Sequence, residues 1–335
     1  MTNANKETKK PPVLFNETQS LIKEIKENYI DGDFMTYWTS TNSSMSSSDL
    51  VVFFKLLKDR VKKDSLFLFV KSDGGSGKSA LRIIHLLREY YKKIIALVPL
   101  DCASAATMLV LGSDVIRMGP LAYLTAIDTS ITHDLSPIDK FNDRVSVSQN
   151  ELDRVIKLWE TKKQSNDLNP YSKLYEFIHP LVFGAVDRAS SLSIKLTTEI
   201  LSYHLDDLEQ AKQISHSLNS NYPSHSYPIT LKEAKRLGLK VEPLDLKLND
   251  LLIKISEYYS EMAQRAYTDY DELNYHDNEI LSIIETADEK IYYQKDKDWH
   301  YRTEEKRWVP MNDDSSWRRV ELKDGELTNS LFFIR

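Results

Sequence analysis

The chain has 335 residues, 41% of them apolar and 28% charged, with a formal net charge of −6. That length holds one large domain or two ordinary ones, and the acidic balance offers no field to draw in nucleic acid or an anionic membrane surface. One cysteine, Cys102, excludes an intrachain disulfide, and no run of about 18 apolar residues is present to span a bilayer.

Residues 1–12 read as a disordered tail, polar and without the apolar core of a secretory signal, so a cytoplasmic protein is expected. Leu14 to Tyr29 has helical spacing, with Leu21, Ile22 and Ile25 as its stripe. Residues 39–48 form a Ser/Thr-rich loop, after which Asp49 can cap a helix to about Lys62. The apolar run from Ser65 to Val70 predicts a buried strand, and a helix follows from about Ser79 to Tyr91. Ile94 to Val98 predicts a second strand, Cys102 to Leu111 a buried helix, and Val115 to Met118 a third strand. This alternation is that of a βαβ core with a parallel sheet. From about 150 to 218 the pattern is helical: Leu152, Val155, Ile156 and Trp159 make one stripe, and Leu192, Ile194, Leu196, Ile200 and Leu201 belong to a later helix. Thr230 to Leu237 predicts a capped helix closed by Gly238, and another helix covers about 248–266. Near the C-terminus, Glu289 to Tyr293, His300 to Thr303 and Arg318 to Leu322 read as strands of a small antiparallel addition.

Two segments carry chemistry. Residues 72–79, SDGGSGKS, lie between a buried strand and a helix, where a phosphate-binding loop would lie. Gly77-Lys78-Ser79 fits the second half of G-x-x-x-x-G-K-[ST], but the first glycine of that pattern falls on Ser72, and no later strand ends in a convincing magnesium-binding Asp. The other use of these glycines is a sharp backbone turn that aims N–H groups into a cleft, where they stabilise the oxyanion of an acyl intermediate. The second segment centres on Ser104, flanked by alanines at a helix start. Small neighbours and the positive end of a helix dipole favour a nucleophile there, although small residues are also ordinary helix packing. The eight histidines include no H-x-x-x-H pair and one cysteine builds no zinc cage, so neither metal nor cofactor is expected. Asp296, Asp298, Glu304 and Glu305 are mixed through the aromatic tail, which favours a folded module over a nucleic-acid surface.

Taken in chain order, the strand, Asp73-Gly74-Gly75, the helix, the next strand, Ser104-Ala105-Ala106, the run LGSDVIRMGP at 111–120 and Ala126-Ile127-Asp128 resemble the serine dehydrogenase proteinase family, related to signal peptide peptidase A and ClpP. The segment from Tyr222 to Leu239 resembles that family's closing segment, so the likeness covers residues 65–245. It implies an α/β fold: a ClpP/crotonase-like core of stacked βαβ units over 65–245, an N-terminal helical segment over 13–64, and a C-terminal α+β appendage over 246–335. It also implies a serine peptidase-like hydrolase acting on a peptide or protein substrate. Ser104 would be the nucleophile, the N–H groups of Gly75 and Ala105 the oxyanion hole, and Gly74 and Asp128 would lie along the substrate.

The base stays open. ClpP-type triads place a histidine about one strand and loop after the serine, where this chain has Ala126-Ile127-Asp128. Signal peptide peptidase relatives use a lysine, and Lys140 lies in a comparable stretch. His225 and His133 are the rivals, and Asp128 could orient a base or cap a turn. Such folds assemble as homo-oligomers, and the large apolar residues Trp159, Leu174, Phe177, Leu181, Val182 and Phe183 are candidates for burial between copies. The alternatives are a non-catalytic scaffold that binds a peptide or protein, and a nucleotide-binding protein using 72–79.

Overall fold

Helix α1 (Phe15–Asn28) turns Phe15, Leu21, Ile22 and Ile25 inward and leads into strand β1 (Asp33–Thr39), all seven residues of which are buried. The computed structural model describes residues 7–140, 142–161, 170–323 and 326–334. Of the tail expected over 1–12, residues 1–6 therefore lie outside the described residues; further on, the Lys9 N–H donates to Thr268 Oγ1 at 2.9 Å. Helix α2 (Ser47–Leu57) starts at a capping box in which Ser46 is the cap and Asp49 returns the bond. Strand β2 (Lys63–Lys71), helix α3 (Gly77–Tyr90), strands β3 (Tyr91–Val98) and β4 (Asp101–Cys102), helix α4 (Ala105–Leu111) and strands β5 (Val115–Met118) and β6 (Tyr123–Leu124) follow. The short strands β7 (Ser130–Ile131) and β8 (Val147–Ser148) precede helices α5 (Gln149–Glu160), α6 (Pro170–Leu174), α7 (Pro180–Leu201), α8 (Leu208–Ser220) and α9 (Leu231–Arg236). Strand β9 (Val241–Pro243) and helix α10 (Leu246–Met262) lead to five antiparallel strands: β10 (Ala266–Asp271), β11 (Asn274–Thr286), β12 (Glu289–Arg302), β13 (Arg307–Asp313) and β14 (Ser316–Lys323), with β15 (Glu326–Ile334) closing the chain.

Strands β1, β2, β3, β5 and β9 lie side by side in that order, all parallel. Alternate side chains leave opposite faces of a strand, and here both faces are covered. Leu66, Leu68 and Val70 of β2 pack with α2, α3 and α4; Phe67 and Phe69 pack with α1 and α10. Full burial of each such side chain contributes about 1.5–3 kcal/mol. Of the C-terminal strands expected, Glu289–Tyr293 and the start of His300–Thr303 belong to the single strand β12, Arg318–Leu322 lies within β14, and β10, β11, β13 and β15 were not expected. They continue the same sheet, because β11 pairs antiparallel with β1.

One buried charge pair ties α1 to this junction. Lys290 and Glu285 stand 3.6 Å apart with fully buried side chains. Tyr259 (2.6 Å), Thr18 (2.7 Å) and Gln19 (2.7 Å) donate to the Glu285 carboxylate, and Lys290 Nζ donates to the Leu14 carbonyl at 2.7 Å. Burial pushes the Glu285 carboxyl up and the Lys290 ammonium down, so the pair depends on these bonds.

After β1, β2 and β3 the chain takes a short extended step before entering α2, α3 and α4, and after β5 it takes a similar step as β6. Met45 bridges Gly75, Ser72 bridges Cys102, β4 pairs with β6, and Leu124 bridges Ile229. This repeat of long strand, short strand and helix is the ClpP/crotonase-like architecture. Gly75 lies on one of these short steps and Ser104 just after another.

Candidate active site

The step after β2 is pinned from both sides. Ser72, fully buried, accepts from Thr39 Oγ1 (2.8 Å) and from the Gly74 N–H (3.1 Å). The Met45 N–H donates to the Gly74 carbonyl at 2.6 Å, and the Ser76 N–H to the Met45 carbonyl at 2.9 Å. Gly74 (φ +101°) and Gly75 (φ +135°) hold backbone angles that side-chain-bearing residues rarely adopt. Space forbids a side chain as well. A Cβ on Gly74 would lie 2.8 Å from the Ser104 Cβ, and one on Gly75 would lie 2.5 Å from the Met45 nitrogen. Gly74 therefore lets the β2 turn press against the serine turn, and Gly75 lets it press against the Met45 step.

Ser104 takes φ +53° and ψ −119°, a conformation that costs about 1–3 kcal/mol in a residue with a side chain. Neighbours hold it there. Its N–H donates to Thr125 Oγ1 (2.8 Å), the Thr125 N–H to Thr107 Oγ1 (3.1 Å), and Thr107 Oγ1 to the Cys102 carbonyl (2.8 Å). Ser104 occupies the position before α4, yet its hydroxyl makes no capping bond. A strained serine between strand and helix, its hydroxyl released from the backbone, is how a nucleophile is presented. Among the described residues, no acceptor meets the N–H of Gly75 or of Ala105.

The third part comes from far along the chain. Leu124 and Ile229 exchange backbone hydrogen bonds of 3.0 and 2.8 Å, which brings the loop after β6 beside the loop before α9. His225 Nδ1 thereby meets Asp128 Oδ1 at 2.8 Å. The Asp128 side chain is 11% exposed and that of His225 49%. The bond to Asp128 holds the His225 imidazole above its usual pKa, against the opposing pull of desolvation. With Nδ1 engaged by the carboxylate, Nε2 is the nitrogen left to exchange a proton.

Ser104, Ala105, Gly75, Asp128 and His225 all line one cavity of about 460 Å³. Its far wall is α7, through Ala189, Leu192, Ser193 and Leu196. Serine and histidine are not hydrogen-bonded to each other here, a contact that often tightens only around substrate.

The other candidates lie elsewhere. Lys140 is exposed on the loop between β7 and β8 and does not line the cavity. His133 is committed to a turn, its Nδ1 accepting from the Leu135 N–H at 3.1 Å. Gly74 backs the serine turn rather than lining the cavity. The 72–79 loop does not wrap into a phosphate cradle, because the N–H groups of Gly74 and Ser76 are spent on Ser72 and Met45. Thr107 and Thr125 hold Ser104 in place without any local motif to announce them. No metal-binding group of three His, Cys, Asp or Glu exists among the described residues.

No family model matches the sequence, and no curated protein does. Similar solved structures include a serine-to-alanine mutant of the 1510-N membrane-bound stomatin-specific protease, 14% identical over 65% of this chain and 83% of that one, with a TM-score of 0.38. A lysine-to-alanine mutant of that protease in complex with a substrate peptide is 14% identical over 69% and 81%, with a TM-score of 0.37. In this chain no helix among the described residues is long and apolar enough to cross a membrane.

Proposed function

We propose that the protein is a serine peptidase-like hydrolase in which Ser104, His225 and Asp128 act as nucleophile, base and orienting acid. The observation that carries this reading is the shared cavity: the His225–Asp128 pair, the strained Ser104 and the two N–H groups without acceptors converge on it. In the first step Ser104 Oγ attacks the scissile carbonyl while His225 Nε2 takes its proton. The carbonyl oxygen becomes an oxyanion held by the N–H groups of Gly75 and Ala105. Collapse expels the amine, which leaves with the proton from His225, and the acyl-serine remains. Water, activated by the same imidazole, then releases the acid. Asp128 keeps the imidazole in the working tautomer and offsets its charge. The likeness of the glycine and serine segments to the serine dehydrogenase proteinase family supports the same assignment of Ser104, and a cytoplasmic location is part of the proposal. The test is hydrolysis of unstructured peptides by the wild type and not by Ser104→Ala. If a folded wild-type sample cleaves nothing, the chain returns to the scaffold reading.

Self-assembly is proposed with it. Phe177 and Leu181 are 76% and 61% exposed, and Leu158 on the neighbouring α5 is 62% exposed. Apolar surface of this kind is commonly covered by a symmetric copy. Light scattering on pure protein is expected to give a mass that is a multiple of 38.8 kDa. A single species at the monomer mass, unchanged on concentration, would remove the assembly.

A further inference from the structure

We propose that the cavity takes a substrate carrying a carboxylate close to the reacting carbonyl, and that Lys78 recognises it; this rests on the peptidase reading of the same cavity. Lys78 belongs to the one part of the glycine segment that the oxyanion role leaves unused. It is the second residue of α3, and the start of α3 packs over α4: a Cβ on Gly77 would lie 2.9 Å from Met108 Sδ. That packing puts the lysine on the wall that holds Ser104, and both line the cavity.

Charge on that wall is unevenly matched. The ionisable residues lining the cavity are Lys78, Asp128 and His225. Asp128 and His225 satisfy each other through the 2.8 Å bond. The Lys78 side chain, exposed at the cavity, has no ion-pair or hydrogen-bond partner among the described residues. The contrast is with Lys71 at the other end of this loop, which pairs with Asp101 at 3.2 Å. Lys78 also stands in the first turn of a 14-residue helix that has no acidic residue in that turn. A cation there is opposed by the helix dipole and is stabilised when an anion meets it. The rest of the lining is small, hydroxyl-bearing or apolar, with Thr129, Ser130 and Ser193 among the hydroxyls and Met108, Leu192 and Leu196 among the apolar side chains. A cavity of about 460 Å³ holds one or two residues of an extended peptide, not a large anionic surface. A polyphosphate is disfavoured, because the N–H groups of Gly74 and Ser76 are spent within the loop on Ser72 and Met45.

The carboxylate could come from a Glu or Asp side chain beside the scissile bond, or from a free C-terminus. Calorimetry on Ser104→Ala, which cannot turn substrate over, separates the two. One pair of C-terminally amidated pentapeptides differs only by Glu or Gln at the central residue; a second, all-neutral pair differs only by a free or amidated C-terminus. The acidic member of one pair is expected to bind about tenfold more tightly, as a charge-assisted contact would give. Adding Lys78→Met should abolish the difference, and adding Lys78→Arg should retain it. A side-chain source shows in the first pair and a terminal source in the second. Equal affinities within both pairs, no binding by any peptide, or a preference that survives Lys78→Met overturns the proposal. Labelling of wild-type Ser104 by a fluorophosphonate reports separately on the peptidase reading. Labelling without acid preference removes only the carboxylate proposal, whereas acid preference without labelling removes the peptidase and leaves an acid-binding cavity.

Discussion

Ser104→Ala is expected to lower kcat for peptide hydrolysis by about 10⁴-fold or more, because removing the nucleophile of a Ser-His-Asp set costs nearly as much as removing the whole set. Ser104→Gly should be equally inactive and more stable than the wild type. The backbone of Ser104 sits at φ +53°, which costs a serine about 1–3 kcal/mol and a glycine little. Part of that gain is lost to glycine's greater freedom in the unfolded chain, which leaves a net increase of about 1 kcal/mol. No capping bond of the hydroxyl is sacrificed, since it makes none. Urea denaturation alongside a peptide cleavage assay measures both effects. A glycine variant that is inactive and less stable than wild type would show that Ser104 is held for packing and not for presentation.

The second large effect belongs to the dyad. His225→Ala is expected to reduce kcat by about 10⁴–10⁶-fold, and Asp128→Asn by about 10⁴-fold through loss of the correct tautomer. The pH profile distinguishes a base from a structural histidine. The hydrogen bond that His225 donates to Asp128 raises the His225 pKa above 6.5, so the wild-type rate should climb with pH through a value above 6.5, where the imidazole loses its proton. In Asp128→Asn that bond and its charge are gone while desolvation still favours the neutral ring. The residual activity should then titrate at lower pH than in the wild type. Stability runs the other way. A histidine whose pKa is raised on folding contributes fully below its unfolded value near 6.5, and the contribution fades as pH rises through the folded pKa. The pair therefore stabilises least where the proposed hydrolysis is expected to be fastest. A wild-type profile flat from pH 5 to 9 would count against His225 as the base.

The parallel core was legible because β2 and β3 are apolar runs followed by helices with regular stripes, and the burial of Leu66 to Val70 matches that pattern. Strand β1 was not. Its seven residues mix Asp, Thr, Tyr and Trp, and a strand covered on both faces shows no alternation to read. Strand β11 and the length of β12 were hidden for a related reason: their outer halves are polar. Gln294 donates diagonally across the two strands to Asn278 at 2.5 Å, and His276 bonds Asp298 at 2.9 Å. Such cross-strand pairs hold a sheet without leaving an apolar signature. Ser104 and Gly75 could be read because they lie on a local motif. The role of Asp128 toward His225 could not, since the two are 97 residues apart and meet only through the Leu124–Ile229 bridge. Lys140 drew attention by its position in the sequence, and the fold leaves it on an exposed loop.

The measurement that bears most directly on this account is mapping of a fluorophosphonate adduct by mass spectrometry in four proteins: the wild type, Ser104→Ala, His225→Ala and Lys140→Ala. A single adduct is expected on Ser104 in the wild type, undiminished in Lys140→Ala, slowed at least a hundredfold in His225→Ala and absent from Ser104→Ala. An adduct that forms on Ser104 at the same rate without His225, or that depends on Lys140 instead, would contradict this account.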